Sequence, residues 1–394
     1  FYPASMTQNR FNKFKAEWEN TFATLFGAPI SNIIAASESV APYYYHKAKK
    51  GATSTVVSVD IGGGTTDVLI VDKGEPKYLT SFRFAANTIF GDGYSYDSDS
   101  NGFVNKYKDI ITNQLETNNL RGLKAVLKSV LDKRVSTDVI AFLFSLASNK
   151  EIKKEKVEIN FAKMLADDNR GKYVVILFYV AIVYHIAKLM KAKGFDMPRH
   201  MTFSGNGSKV LNILSTNDAT LVRLTKIIFE EIYAQSYSID GLDIIRPANS
   251  KESTCKGGII LTPFQSQDYG EIKDMKTILI GTDNEKFADV HMTYNDVTEA
   301  DLDSVVDVIK EYIEFTFKLD KKFSFYDNFD VDRSIMNKVK DLCYRDIRTY
   351  LENGLAIKKS EIAQDGADDN LEETLFFYPL VGIINAVVRN IYQM

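Results

Sequence analysis

The chain is poor in the residues that most catalytic, metal-bound or cross-linked proteins rely on. It has two cysteines, Cys255 and Cys343, and four histidines, His46, His185, His200 and His291, in 394 residues. Two thiols make neither a disulfide framework nor a zinc cage, and packed thiols suit a reducing compartment, so a cytoplasmic setting is expected. The histidines show no ligand spacing and suggest no Ser-His-Asp or Cys-His pairing, so structural roles are expected for all four. A concentrated basic charge is also missing. Net charge is −4, with 25 acidic and 15 basic residues over 271–394 and a mild basic excess before that. No nucleic-acid partner is therefore expected, and the acidic stretch reads as a different unit with a solvated surface.

Apolar runs long enough for a membrane are absent as well. Residues 173–186 and 375–388 form runs of 14, against the roughly 20 residues that span a bilayer. Lys188, Lys191 and Lys193 follow the first run and Pro379 interrupts the second, so both are expected to be buried core helices and no membrane span is expected. The opening "FYPASMTQNR" lacks an initiator Met, a basic n-region and an apolar h-region, so it reads as a fragment or processed form, not a signal peptide. No repeat or low-complexity tract is present.

What is present is a globular composition, 45% apolar and 25% charged, in a chain long enough for two or three domains. Phe11, Phe14, Trp18, Phe22 and Leu25 recur at helical spacing over 6–26, and Gly27-Ala28-Pro29 stops that helix. A strand is expected over 32–37, a helix through 38–50 and a further strand over 77–85. Residues 90–102 form a polar loop, 104–193 are mainly helical, and 200–214 read as strand, glycine turn, helix. A helix over 219–236, strand-like segments over 276–282 and 287–294, and an amphipathic helix over 301–317 complete the pattern.

The strongest local signal is "VVSVDIGGGTTDVLIVD" over 56–72. Strand "VVSVD" delivers Asp60, three glycines turn the chain, and "DVLIV" returns. Gly62, Gly63 and Gly64 tolerate positive φ and leave no Cβ in the way of a ligand. Their N–H groups can curl into a nest for phosphate oxygens, with hydroxyls from Thr65 and Thr66 beside them. Asp60 and Asp67 can hold Mg²⁺ directly or through water, because Mg²⁺ needs only one or two carboxylates besides phosphate. No Gly-Lys-Ser/Thr follows, so this is not a P-loop. The turn leads into a strand and not a helix, so it is not a dinucleotide fingerprint either.

This hairpin resembles the second phosphate-binding hairpin of the actin-like ATPase superfamily, which includes actin, sugar kinases and the 70-kDa heat-shock chaperones. The likeness is greatest to the chaperone ATPase domain. Upstream, "NIIAASESVAPYYYHKAKKG" is similar to the chaperones' connecting helix, with Glu38 on the family's glutamate near metal and attacking water; Ser39 stands where the chaperones have proline. Downstream, "FGDGYSYD" resembles the Gly-rich segment after the strand pair. "MTFSGNGSKVL" resembles the family's adenosine motif, in which Gly205, Asn206 and Gly207 let the backbone lie against adenine and ribose while Ser208 and Lys209 begin a helix. Gly207 follows Gly63 by 144 residues, near the family's usual separation. "KESTCKGGI" resembles the start of the family's last helix.

The resemblance covers about residues 1–265, and the family's first phosphate hairpin has no counterpart before Asp60. It implies an α/β, actin-like (ribonuclease H-like) lobe with a five-stranded mixed sheet and helices, plus a mainly helical acidic C-terminal portion. Residues 1–52 would be a remnant of the N-terminal lobe with the connecting helix, 53–265 the C-terminal ATPase lobe, and 266–394 an accessory domain. It implies ATP and Mg²⁺ as ligands and a nucleotide-dependent switch, with a protein client or co-factor as further partner. Hydrolysis would belong to the complete protein, with weak or no activity in this chain. An actin-like scaffold acting through polymerisation or partner binding is the alternative, and a sugar kinase comes third.

Two smaller signals are expected to be structural. Asp97, Asp99, Asn101 and Gly102 match the first half of a calcium loop, but Lys108 occupies the place of its closing glutamate, so a solvated turn is expected. The 21 tyrosines and 25 phenylalanines are scattered, which fits packing better than base stacking.

Overall fold

The computed structural model describes the chain except for residues 3–7, 28, 34, 36–37, 39, 51–53, 96–100, 239–240, 248–249, 262–292, 366–370 and 372. The segment 276–282, almost all of 287–294, and Asp97 and Asp99 of the acidic loop lie outside the described residues.

Five strands form one mixed sheet: β1 (Val56–Ile61), β2 (Thr66–Asp72), β3 (Glu75–Phe82), β4 (His200–Ser204) and β5 (Asp243–Ile245). Their spatial order is β3-β2-β1-β4-β5. β2 pairs antiparallel with β1 and with β3, whereas β4 pairs parallel with β1 and with β5. The sheet is covered on both faces, so β1 and β2 are buried almost throughout instead of alternating between core and solvent.

Strand alternation sorts the side chains into two layers. Val56, Leu69, Val71 and Leu79 face one layer, where they pack with Val40, Ala41, Tyr43 and Tyr44 of the Val40–Lys50 helix. The Ser250–Ile260 helix crosses the same helix closely, since a Cβ on Gly257 would lie 1.7 Å from the Ala41 carbonyl oxygen. Val57, Val59, Val68, Ile70 and Phe82 face the opposite layer, built around the Lys172–Ala192 helix.

That helix is apolar on every side, which is the pattern of a helix buried in a core. It extends beyond the run of 14, to 21 residues, because Lys172 at one end and Ala187 to Ala192 at the other continue it. Among the described residues it alone is long and apolar enough to cross a membrane, and 94% of its apolar window is buried within the fold. Asp168 anchors its start. One carboxylate oxygen accepts the N–H groups of Arg170 and Gly171, both at 3.1 Å. The other accepts Lys106 Nζ at 3.0 Å, Tyr107 Oη at 2.9 Å and Tyr392 Oη at 2.5 Å. Burial disfavours the carboxylate, but these donors outweigh it and hold Asp168 below the usual carboxylate range.

The C-terminal helices share this core. Ile309, Tyr312 and Ile313 of the Glu299–Phe323 helix, and Ile383, Ile384 and Val387 of the Phe377–Asn390 helix, are buried in one cluster with the Lys172–Ala192 helix and the sheet. Phe377 stacks on Phe82 of β3, with ring centroids 4.0 Å apart. Asn101 is fully buried and caps the Gly102–Thr117 helix, its side-chain oxygen accepting the N–H groups of Phe103 and Val104. The amide is thereby committed to the backbone.

His185 sits among Phe82, Phe376 and Phe377. Burial lowers its pKa to about 3, so the folded protein excludes a proton that the unfolded chain accepts. The stability this contributes is complete above the unfolded pKa of about 6.5 and is lost as pH falls toward the folded value, by roughly 2 kcal/mol at pH 5. His185→Phe, compared with the parent by urea denaturation at about pH 7 and about pH 5, is expected to lose less stability on acidification. An equal loss in both proteins would remove His185 from the account.

Candidate phosphate and nucleotide site

The two glycine motifs meet at one end of the sheet. β4 runs parallel to β1 and ends level with it, pairing Ser204 with Asp60. The chain then turns back over the hairpin through Gly205, whose φ is +79°. A Cβ on Gly205 would lie 2.2 Å from the Ile61 carbonyl oxygen and 2.4 Å from Asp60 Oδ1. A Cβ on Gly207 would lie 2.1 Å from the Gly62 carbonyl oxygen. Both positions therefore require glycine, one for conformation and space and the other for space alone.

The hairpin turn is closed by the Gly62 N–H, which donates to the Thr65 carbonyl at 2.8 Å. The Gly62 and Gly63 carbonyls accept the N–H groups of Ala86 and Asn87 at the start of the short Ala86–Phe90 helix, at 3.3 and 2.8 Å. No backbone acceptor among the described residues takes the N–H groups of Gly63 and Gly64, and both residues are exposed. Around Gly64 nothing lies within 4 Å of a Cβ position. Thr65 is half-buried at the turn. The Thr66 hydroxyl donates to the Phe84 carbonyl at 2.7 Å, so it ties the hairpin to the chain after β3. It is not a free donor for a ligand.

Four in-register residues form a polar row across the strand ends: Ser204, Asp60, Asp67 and Ser81. Residues directly opposite in a sheet project to the same face, here the face of the Val40–Lys50 and Ser250–Ile260 helices. Asp67 is fully buried and Asp60 nearly so. Ser204 Oγ donates to Asp60 Oδ2 at 2.9 Å. Burial pushes the Asp60 pKa up to about 6, the nearby Glu38 charge adds to the rise, and hydroxyls from Ser204 and Thr254 oppose it. Glu38 thus lies within electrostatic reach of Asp60, and its own N–H donates to the Tyr2 carbonyl at 3.1 Å.

Beside the hairpin tip is a cavity of about 550 Å³. Gly63, Asn206, Gly207 and Lys209 line it on the glycine side, and Phe90, Ile140, Phe144 and Ile213 form much of its apolar wall. Asn206 and Lys209 are exposed, whereas Ser208 is buried with its hydroxyl donating to the Gly205 carbonyl at 2.7 Å. The expected helix start is a 3₁₀ turn, Asn206–Val210, running into the four-residue helix Leu211–Leu214. Its tightness follows from the contacts of Gly205 and Gly207 with the hairpin. Arg246 holds the far side, donating to Asp218 Oδ1 at 2.5 Å and to Asn212 Oδ1 and the Ser215 carbonyl at 3.0 Å.

Several residues at this site were not singled out from the sequence. Ser204 immediately precedes the glycine turn and was findable as the last residue of its strand. Asn87, whose side chain lies against Gly63, and Thr137, which lines the cavity, have no local signal.

A buried, charged Asp60 whose neighbours are Glu38 and two hydroxyls suits a divalent cation, which would supply the missing positive charge. Among the described residues no cluster of three or more His, Cys, Asp or Glu side chains is placed to hold a metal by itself. No protein-family model matches the chain, and no curated protein matches it either. The site's geometry therefore carries the functional argument.

Gly205→Ala and Gly207→Ala are expected to destabilise the fold by roughly 1–3 kcal/mol, read by urea denaturation, through overpacking and, at Gly205, positive φ. Gly64→Ala is expected to stay within about 0.5 kcal/mol of the parent, since its Cβ meets open space. Equal effects at Gly64 and Gly207 would contradict the described contact.

Proposed function

We propose that this chain is an ATP- and Mg²⁺-binding unit of the actin-like ATPase type, most similar to the chaperone ATPases, in which the nucleotide acts as a conformational switch. One observation carries the reading: two glycine motifs far apart in sequence converge at the end of one sheet, against a 550 Å³ cavity and a buried carboxylate. The five-stranded mixed sheet with helices on both faces supports it, because the resemblance implies such a lobe. The same mapping gives cytoplasmic location and a client or co-factor protein as working expectations.

In this reading the Gly63 and Gly64 N–H groups and the Thr65 hydroxyl bind phosphate oxygens, while Gly205 to Gly207 pass the backbone along the nucleoside. The cavity's apolar wall takes the base, with Asn206 and Lys209 at its mouth. Asp60, and Asp67 behind it, would hold Mg²⁺, whose chemistry is to neutralise phosphate charge and orient the phosphates. Glu38 would position water. Phosphoryl transfer depends on positioning and charge stabilisation from several directions. A chain with one phosphate hairpin supplies part of that, so binding with slow or no turnover is expected.

Calorimetric titration with ATP tests the reading. Binding is expected with Mg²⁺ present, weakened at least tenfold by Asp60→Asn, because the neutral amide cannot hold the cation. Mg²⁺ dependence should also fade as pH falls below about 6, where Asp60 takes up the proton that the cation must displace. Unchanged affinity in Asp60→Asn, or binding indifferent to Mg²⁺, would refute the site assignment.

A further inference from the structure

One side of the 550 Å³ cavity is a single helix face. Thr137, Ile140, Ala141 and Phe144 of the Ser136–Ser145 helix all line it. They follow the i, i+3, i+4, i+7 spacing that sets side chains on one stripe. Val139 and Leu143 on the opposite stripe are fully buried in the core and hold the helix in place. Phe144 is the large ring on the cavity stripe, and it is half-buried. Two neighbours fix it edge-on: Phe90, with ring centroids 5.4 Å apart, and Phe161, at 4.9 Å. An aromatic ring locked in this way beside a cavity is a platform for a planar ligand.

The polar groups of the cavity are placed differently. Asn87, Asn206, Lys209 and Asn212 line it but are exposed, and Thr137 is half-buried. The Asn212 side-chain oxygen is also engaged, accepting from Arg246 at 3.0 Å. Among the described residues, no polar side chain of the wall is buried. Adenine and guanine differ at their edges, where one carries an N6 amino donor and the other an O6 acceptor. A site separates such groups strongly only if the wrong one leaves a buried hydrogen-bonding partner unpaired. This wall holds no such partner. It can still read size, because a two-ring base covers more of Phe144 and Ile140 than a one-ring base does.

We propose that the cavity selects purine nucleotides as a class and does not distinguish ATP from GTP, with the Phe144 ring as the stacking surface for the base. This inference rests on the nucleotide reading above and sets the breadth of its ligand class. Phe144 acts here through base binding and takes no part in phosphate or cation contacts.

Calorimetric titration with ATP, GTP, CTP and UTP, each with Mg²⁺, reads this selectivity. ATP and GTP are expected to bind within about fivefold of each other, and CTP and UTP more than about fivefold more weakly than either. Phe144→Leu keeps an apolar side chain against Phe90 and Phe161. It is expected to weaken both purine nucleotides by roughly fivefold and to narrow the gap to the pyrimidine nucleotides, because stacking is lost. General damage to the fold would weaken all four alike. A gap above fivefold between ATP and GTP, pyrimidine nucleotides bound as tightly as purines, or an unchanged purine preference in Phe144→Leu would overturn the inference while leaving nucleotide binding intact. Failure of all four nucleotides to bind would instead remove the nucleotide reading, and this inference with it.

Discussion

The structure depends on a backbone contact that only glycine allows: the turn after β4 lies directly on the exit of β1. Gly205 and Gly207 approach Ile61 and Gly62 so closely that any Cβ would overlap a carbonyl oxygen. This contact fixes where β4 ends, tightens the following turn into a 3₁₀ turn and places Asn206 and Lys209 at the mouth of the cavity. It also seats Gly205 against the Asp60 carboxylate, which helps to bury that charge and raise its pKa. Site geometry and site electrostatics thus have one origin.

The rest of the fold holds that sheet end in place. Two crossing helices cover the face to which Asp60 points, and the Lys172–Ala192 helix fills the other. Asp168 ties the start of that helix to Lys106, Tyr107 and Tyr392, so the last residues of the chain brace its central helix. The stacking of Phe377 on Phe82 joins the C-terminal helices to the sheet. The Glu299–Phe323 helix is acidic outside and apolar within, and the Phe377–Asn390 helix is apolar nearly throughout, so both contribute to the same core as the strands.

Much of this was legible in the sequence where local chemistry is decisive. The hairpin strands follow from their β-branched runs, and the turn after β4 from glycines at 205 and 207 where no other residue fits. The aromatic spacing over 6–26 marked a helix, but not that its apolar face is open to solvent. The polar run at Asn101 looked like a solvated loop, yet Asn101 is a buried cap, because capping geometry depends on the following helix and not on composition. Charge balance describes a surface and says little about which core a helix joins. Thr66 looked like a phosphate donor until Phe84 was placed beside it, a contact between residues 18 positions apart. The cavity's apolar wall comes from four separate helical segments and the residues beside them, so no local pattern announces it.

The central claim is that the Gly62–Thr65 turn and the Gly205–Val210 segment form one phosphate and nucleoside site. Hydrogen–deuterium exchange with and without Mg²⁺-ATP tests it most directly. The account predicts that nucleotide slows exchange in peptides covering both segments together, most strongly at Gly63 and Gly64, whose N–H groups have no backbone acceptor among the described residues. Protection confined to other parts of the chain, with both glycine segments unchanged, would contradict it.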